Sequence, residues 1–266
     1  MATNALEVLR AVLGGILLSS AFSDLILRDK EGRVFNAHKA IVCAHSKFFE
    51  KACEPGKFKE GEESTISLTI GESTTISLLL EFLYTLDYGY HLTEGQAVTP
   101  LLLHLRLYIA ADFYNVPKLK EVAATRFQHS LNGVSLTGNE ISKAVEEIYT
   151  NIPSCDHVLR DMVLKVILDN ISACLNTAPN NSSLTIAEIM AKLPEFGKDL
   201  TMRMSAELDR LRPIEDRWDG QGYRKVQCQA MTCLHTWADA RSVIPDGTHC
   251  PKCGVPKNSW DSFRVE

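Results

Sequence analysis

The chain has 266 residues, 45% of them apolar and 23% charged, with a formal net charge of −5. The apolar share supplies a real core and excludes the low-hydrophobicity, high-charge composition of a disordered chain, while the acidic balance excludes nucleic-acid binding by the chain as a whole. From Arg217 onward seven Lys/Arg stand against five Asp/Glu, a weakly basic tail of the size an ordinary solvated surface carries.

The first segment has the outline of a secretory signal, an apolar run from Ala11 to Leu18 followed by Ser19-Ser20-Ala21. Its one basic residue, Arg10, is cancelled by Glu7, and Leu6, Leu9, Leu13 and Leu17 recur at three- and four-residue steps, so an amphipathic helix is expected instead. No apolar run reaches the ~18 residues a membrane span needs. Without secretion the Asn-X-Ser triplets at Asn170, Asn180 and Asn181 carry no meaning as glycosylation sites.

Residues 24–29 then alternate polar and apolar, Gly32 stands where a tight turn needs a positive φ, and Val34 and Phe35 resume an extended run, which predicts a β-hairpin. From His38 to Ala52 the spacing of Ala40, Ile41, Ala44, Phe48 and Phe49 is helical, with Ser46 able to cap a second short helix and Pro55-Gly56 ending it. Ile66, Leu68 and Ile70 share one face of a third strand over 65–70. The helix opening at Glu72 has Ile76, Leu79, Leu80 and Leu83 as its stripe and closes near Asp87-Tyr88-Gly89. Two more helices are expected at about 99–114 and 116–129, with Pro117 in the first turn of the second.

Beyond residue 130 the pattern is all-helical to about 211. Val158, Met162, Val163, Val166, Ile167 and Ile171 mark one amphipathic helix, and Phe196, Leu200, Met204, Leu208 and Leu211 another. Methionines at this spacing are packing residues rather than a cofactor pocket. The polar run 176–183 reads as a loop, and residues 212–222, with Pro213, Gly220 and Gly222, as a linker.

Taken in order, Ser23-Asp24-Leu25, Phe35, His38-Lys39-Ala40-Ile41, Ser46, Phe48-Phe49, Phe58-Lys59-Glu60, Leu83-Tyr84-Thr85, Tyr88 and Ala110-Ala111-Asp112-Phe113-Tyr114 resemble the BTB/POZ domain over residues 20–125. The likeness is nearest to fungal BTB proteins, which pair the domain with a helical region and at times a cysteine-rich tail. It implies an α+β fold, a small sheet flanked by helices, and a role in dimerisation or partner recruitment without catalysis. Asp24, His38 and Lys39 match positions lining a polar groove at the dimer face of relatives; capping and internal hydrogen bonding are the structural alternative. Phe58 and Glu60 match the apolar residue and glutamate that face a cullin in cullin-binding relatives. An exposed aromatic filling a partner's pocket, with a carboxylate at the rim, suits such an interface; a loop whose Phe58 tucks into its own domain is the alternative.

The cysteines separate into two sets. Cys43, Cys53, Cys155 and Cys174 are scattered among apolar neighbours, whereas Cys228, Cys233, Cys250 and Cys253 crowd into 26 residues. Two thiolates at i and i+3, with Gly254 closing the turn, offer half of a tetrahedral zinc site and Cys228/Cys233 the other half. Residues 224–227 and 236–239 suit a hairpin that would bring the pairs together. A segment this short lacks a core of its own, and metal binding of about 10 kcal/mol or more would supply its folding energy. His235 and His249 lie beside the cluster, but the four-thiolate set is preferred, one closed structural zinc. Two disulfides or free thiols are the alternatives.

The domain order expected is therefore a BTB/POZ domain at 1–130 (core 20–125), a helical region at 131–211, a linker at 212–222 and a zinc-ribbon-like module at 223–266. The function expected is a non-enzymatic adaptor, a homodimer in the nucleus or cytoplasm, with a cullin-dependent ubiquitin-ligase adaptor as one alternative. Nucleic-acid binding through Arg217, Arg224, Lys225, Arg241, Lys252 and Lys257 is the other. No phosphate-binding glycine loop, Gly-x-Ser-x-Gly turn or His-Glu-x-x-His helix is present. Cys43 and His45, two apart on a helix, point to different faces and make no nucleophile pair.

Overall fold

A computed structural model describes residues 5–56, 59–89, 98–133, 139–171, 186–211, 224–227 and 236–239. It divides into two compact units, Met1–Leu200 and Thr201–Glu266.

The sheet of the first unit grows from the hairpin. Strand β1 (Leu25–Asp29) buries Leu25, Leu27 and Asp29 and turns Ile26 and Arg28 outward, as the period-two pattern requires. It pairs antiparallel with β2 (Val34–Ala37), Leu27 opposite Phe35, and Gly32 takes φ 83° in the connecting turn. Asp29 organises that turn: its Oδ1 accepts from the amides of Glu31 and Arg33 at 2.9 and 2.8 Å, and its Oδ2 from the Ser73 hydroxyl. The Ser73 bond is foremost in holding its carboxyl below the usual carboxylate range. On the other side β1 runs parallel to β3 (Thr65–Leu68), giving the order β2-β1-β3. The strand expected to reach Ile70 stops two residues earlier, because Ile70 exchanges both its backbone bonds with the Tyr114 hydroxyl instead.

Helix α1 (Ala5–Ser19) precedes the sheet. After β2 come two short helices, α2 (Lys39–His45) and α3 (Lys47–Ala52), which share Ser46 between them. Buried Ser46 accepts the Phe49 amide at 3.1 Å, the expected N-cap, and donates to the Tyr114 carbonyl at 2.6 Å. The Phe49 and Tyr114 rings stack with centroids 5.8 Å apart. A short helix α4 (Lys59–Glu63) follows where the residue pattern carries no helical signal; five residues are too few to show a period.

Three longer helices complete the domain: α5 (Ser73–Thr85), α6 (Pro100–Phe113) and α7 (Pro117–Leu131). Helix α6 buries nine of its fourteen residues, including Leu105 and Leu107, and is the central strut of the unit. Pro100 and Pro117 stand in the first turns of α6 and α7, where a missing N–H costs nothing.

Four helices extend the unit and begin the second: α8 (Asn139–Asn151), α9 (Val158–Asp169), α10 (Ile186–Lys192) and α11 (Pro194–Leu211). Ile141, Ala144, Val145, Ile148, Tyr149 and Ile152 form a buried stripe along α8 and just past it. Phe196 and Leu200 bury the first half of α11. In the second unit β4 (Arg224–Gln227) and β5 (Thr236–Asp239) pair antiparallel, Gln227 opposite Thr236 and Arg224 opposite Asp239. Among the described residues no helix is long and apolar enough to cross a membrane.

Candidate protein-interaction surfaces

Asp24, His38 and Lys39 come together where α2 begins. Exposed Asp24, just ahead of β1, accepts the Lys39 amide at 2.8 Å and so caps α2 from outside it. The Lys39 ammonium donates to the Ser64 hydroxyl at 2.8 Å. His38 is tied on both ring nitrogens, Nε2 to the Ala21 carbonyl at 2.6 Å and Nδ1 to the Tyr84 hydroxyl at 2.6 Å. A carbonyl only accepts, so the arrangement is satisfied when Nε2 carries the proton and the Tyr84 hydroxyl donates to Nδ1. The same hydroxyl then accepts the His38 amide at 3.0 Å. Burial pushes the Tyr84 phenol up to about 12, which keeps it a donor at any physiological pH. The trio thus joins the segment after α1, the sheet and α5, and Tyr84, which the sequence marks only as a motif residue, is the group that ties His38 to α5.

Next to this joint lies an apolar surface. None of the fifteen residues of α1 is buried, and Leu6, Val8, Leu9 and Val12 are each more than half exposed. Leu18 and Phe22 beyond them are 88% and 98% exposed. The helix rests on α5 through Gly14, where an added methyl would meet the Thr85 methyl at 3.6 Å. Two cavities stay open beneath it: about 650 Å³ between α1, β2 and α5, and about 210 Å³ between α1, α2 and the end of α5. Apolar patches of this kind, flanked by polar groups, are characteristic of sites where another protein packs.

The expected docking segment lies between α3 and β3. The chain leaves α3 through Cys53 and turns at Gly56, φ 74°. Gly61 then approaches so closely that a Cβ there would stand 2.7 Å from the Glu54 carbonyl oxygen, which requires glycine and presses α4 onto the end of α3. The Glu60 backbone belongs to α4; Phe58 lies outside the described residues, as do Cys228, Cys233, Cys250 and Cys253. Among the described residues no group of three or more His, Cys, Asp or Glu is placed to hold a metal ion.

The domain is locked to the helices that follow it. Asp156, in the turn before α9, accepts the Tyr108 hydroxyl at 2.8 Å and the Lys120 ammonium at 2.8 Å. Burial works against its charge, but the Lys120 and Tyr108 bonds outweigh it and hold the carboxyl below its usual range. Arg106 bridges Glu147 at 2.9 Å and Glu72 at 3.0 Å. Farther out, Arg160, only 3% exposed, lies 4.5 Å over the Tyr149 ring, donates to the Ile152 carbonyl at 3.0 Å and reaches Glu195 at 3.3 Å. Apolar periodicity reveals none of these pairs, and those made to Glu72, Glu147, Asp156 and Glu195 join residues 34 to 48 positions apart.

A three-stranded sheet of order β2-β1-β3, with the short helices α2 and α3 packed together, α2 also against α5, and α6 packed between α5 and α7, is the arrangement of a class of protein-interaction domain. The BTB/POZ domain model matches residues 13–131, and this part of the chain is a BTB/POZ domain. The chain is similar to a BTB/POZ domain-containing protein of Arabidopsis thaliana, 28% identical over 167 residues, 60% of this chain and 72% of the relative. That alignment is longer than the domain itself and so takes in flanking sequence. It is also similar to Kelch-like protein 21 of Homo sapiens, 31% identical over 129 residues, 48% of this chain and 20% of the relative. A second Arabidopsis BTB/POZ domain-containing protein is 30% identical over 147 residues, 54% of this chain and 63% of the relative. These relatives come from a plant and a mammal rather than from fungi.

Proposed function

We propose that the chain is a non-enzymatic intracellular adaptor of the fungal BTB type, which self-associates through α1 and recruits a protein partner. The observation that carries this reading is α1, a fifteen-residue helix that buries nothing and presents Leu6, Val8, Leu9 and Val12 to solvent. A helix face of this kind on a folded unit is an interface awaiting its other half. Light scattering on the purified chain tests it: twice the chain mass for wild type, one chain mass for Leu9→Asp/Val12→Asp. A wild type that stays monomeric at high concentration ends the self-association reading.

The second binding surface is a zinc-clasped tail. Pairing of Gln227 with Thr236 closes an eight-residue connection that begins at Cys228 and contains Cys233. Cys250 and Cys253 complete a four-thiolate set with the i, i+3 spacing zinc ribbons use. Metal content of protein kept reduced decides this: one zinc per chain, lost in Cys250→Ser/Cys253→Ser. Absence of metal in the wild type would end it.

A cullin-dependent ubiquitin-ligase adaptor is the second reading. It is favoured by the placement of Glu60 in a helix pressed onto the end of α3 by Gly61, two residues after Phe58 in the sequence. Capture of a purified cullin N-terminal domain by wild type and not by Phe58→Ala/Glu60→Ala supports it; equal, poor capture by both removes it.

A further inference from the structure

The turn that leaves α1 holds a strained shape. Ser20 and Phe22 have φ of 55° and 61°, in the left-handed region that a residue with a Cβ enters only at a cost, and a bulky aromatic most of all. Hydrogen bonds keep it there. The Ser20 amide donates to the Ile16 carbonyl at 3.1 Å and the Ser23 amide to the Ser20 carbonyl at 3.3 Å, while Ala21, between the two strained residues, gives its carbonyl to His38 Nε2 at 2.6 Å. The result of the strain is that the Phe22 ring stands almost wholly in water, where it adds nothing to the core of its own copy. Strain held in place by surrounding bonds is a mark of functional positions, and a rigid, exposed aromatic suits contact with another protein.

We propose that Phe22 is the anchor of self-association: in a dimer, each copy's Phe22 fills the other copy's cavity between α1, β2 and α5. The proposal rests on the self-association reading and names the residue and the cavity that lock it. That cavity, about 650 Å³, is lined by Leu18 and Ser20, four and two residues before Phe22, and by Val34, Phe35 and Leu80. It has room for a phenyl ring and an apolar wall to receive it. A knob beside its own hole fits a second copy of the same chain. A two-fold axis passing between the two seats both rings at once and closes the assembly at two, whereas a knob and hole far apart would build open chains. Charge agrees, because the same cavity presents one charge of each sign, Arg33 and Glu81, and a two-fold axis can set Arg33 of one copy against Glu81 of the other. The contact also continues the exposed face of α1 through Leu18.

The test is a knob-and-hole exchange on the full chain, read by dilution series and native mass spectrometry. Phe22→Ala removes both rings from the dimer and is expected to raise Kd about a hundredfold or more, since burying one aromatic side chain is worth over tenfold. Ser77→Phe fills the cavity from α5 and is expected to weaken the dimer likewise. An equal mixture of the two variants keeps one intact contact, the Phe22 ring of the filled copy in the open cavity of the other. The mixed dimer, distinct in mass from both homodimers, is therefore expected well above the share that random pairing gives. At concentrations where all samples are monomeric, Phe22→Ala and Phe22→Gly, the second of which relieves the left-handed φ, are expected to unfold no more readily than wild type. Phe22→Ala dimerising as tightly as wild type, while Leu9→Asp/Val12→Asp is monomeric, would overturn the anchor and leave the α1 reading standing. A mixed dimer at the random share, or a monomer destabilised by Phe22→Ala, would also overturn it. A wild type that stays monomeric ends both readings. If Ser77→Phe does not fold, the Kd of Phe22→Ala decides alone.

Discussion

Helices α1 and α6 are both rich in leucine, with isoleucine, alanine and a few polar interruptions, yet they meet opposite fates. Helix α6 buries nine of fourteen residues and α1 none of fifteen. An all-round apolar helix belongs in a core, and α6 finds one because α5, α7 and α8 pack around it. Helix α1 has α5 on one side and solvent on the other. Apolar composition thus states how much surface must be covered, while topology decides what covers it. For α6 the chain supplies the cover, and for α1 the cover we propose is a second copy.

The sharpest way to break the comparison is to truncate both helices. Leu105→Ala in α6, where the side chain is fully buried, is expected to cost about 2–5 kcal/mol in a chemical denaturation experiment. A loss under ~1 kcal/mol would mean that α6 is not the strut its burial implies.

The second test uses the one imidazole inside α6. His104 is 6% exposed, its Nδ1 lies 3.0 Å from the Tyr88 hydroxyl, and burial followed by the nearby Arg126 charge pushes its pKa down to about 4. In the unfolded chain the ring titrates near ~6.5. Between about 6.5 and about 4 the unfolded state holds a proton that the folded state refuses, so stability is full above that window. It falls with pH through the window by at most ~1.4 kcal/mol per unit, and this contribution levels off below it. Denaturation midpoints measured from pH 7.5 down to 4 should show the slope, and His104→Gln should remove it. An unchanged slope in the variant would assign the dependence to other groups.

The interlock between the domain and the following helices ranks next. A double-mutant cycle on Lys120→Met and Asp156→Asn should give a coupling of roughly 0.5–3 kcal/mol, since the pair is 2.8 Å apart and Asp156 is largely screened from water. Additive effects would show that α9 is held by its apolar face alone, through Leu159, Val163 and Ile167.

What was readable in the sequence follows from which forces leave a periodic trace. The hairpin with its turn at Gly32, the cap at Ser46, the Pro117 start and the stripe of α5 all rest on local chemistry, and their residues announce it. Asp24, His38 and Lys39 were locatable by their likeness to a family motif. Their hydrogen bonds were not, because each goes to a residue distant in the chain: Ala21 and Tyr84 for His38, Ser64 for Lys39. Helix α4 was invisible because it is shorter than two turns. The hairpin of β4 and β5 falls on the two segments flanking Cys228 and Cys233 that its residue pattern marked out.

The smallest expected change in stability is also the most informative for assembly. Leu9→Ala and Val12→Ala each remove side chains already more than half in water. By the burial argument they should shift the unfolding free energy of the monomer by no more than ~0.5 kcal/mol. The same substitutions remove apolar area from the face assigned to a second copy, at ~25 cal/mol per Å², so dissociation should rise while the fold holds. Dilution series by light scattering, set beside denaturation of the same samples at concentrations where all are monomeric, separate the two quantities. If Leu9→Ala instead destabilised the monomer as much as Leu105→Ala, α1 would be an ordinary core helix, and the contrast with α6 would collapse.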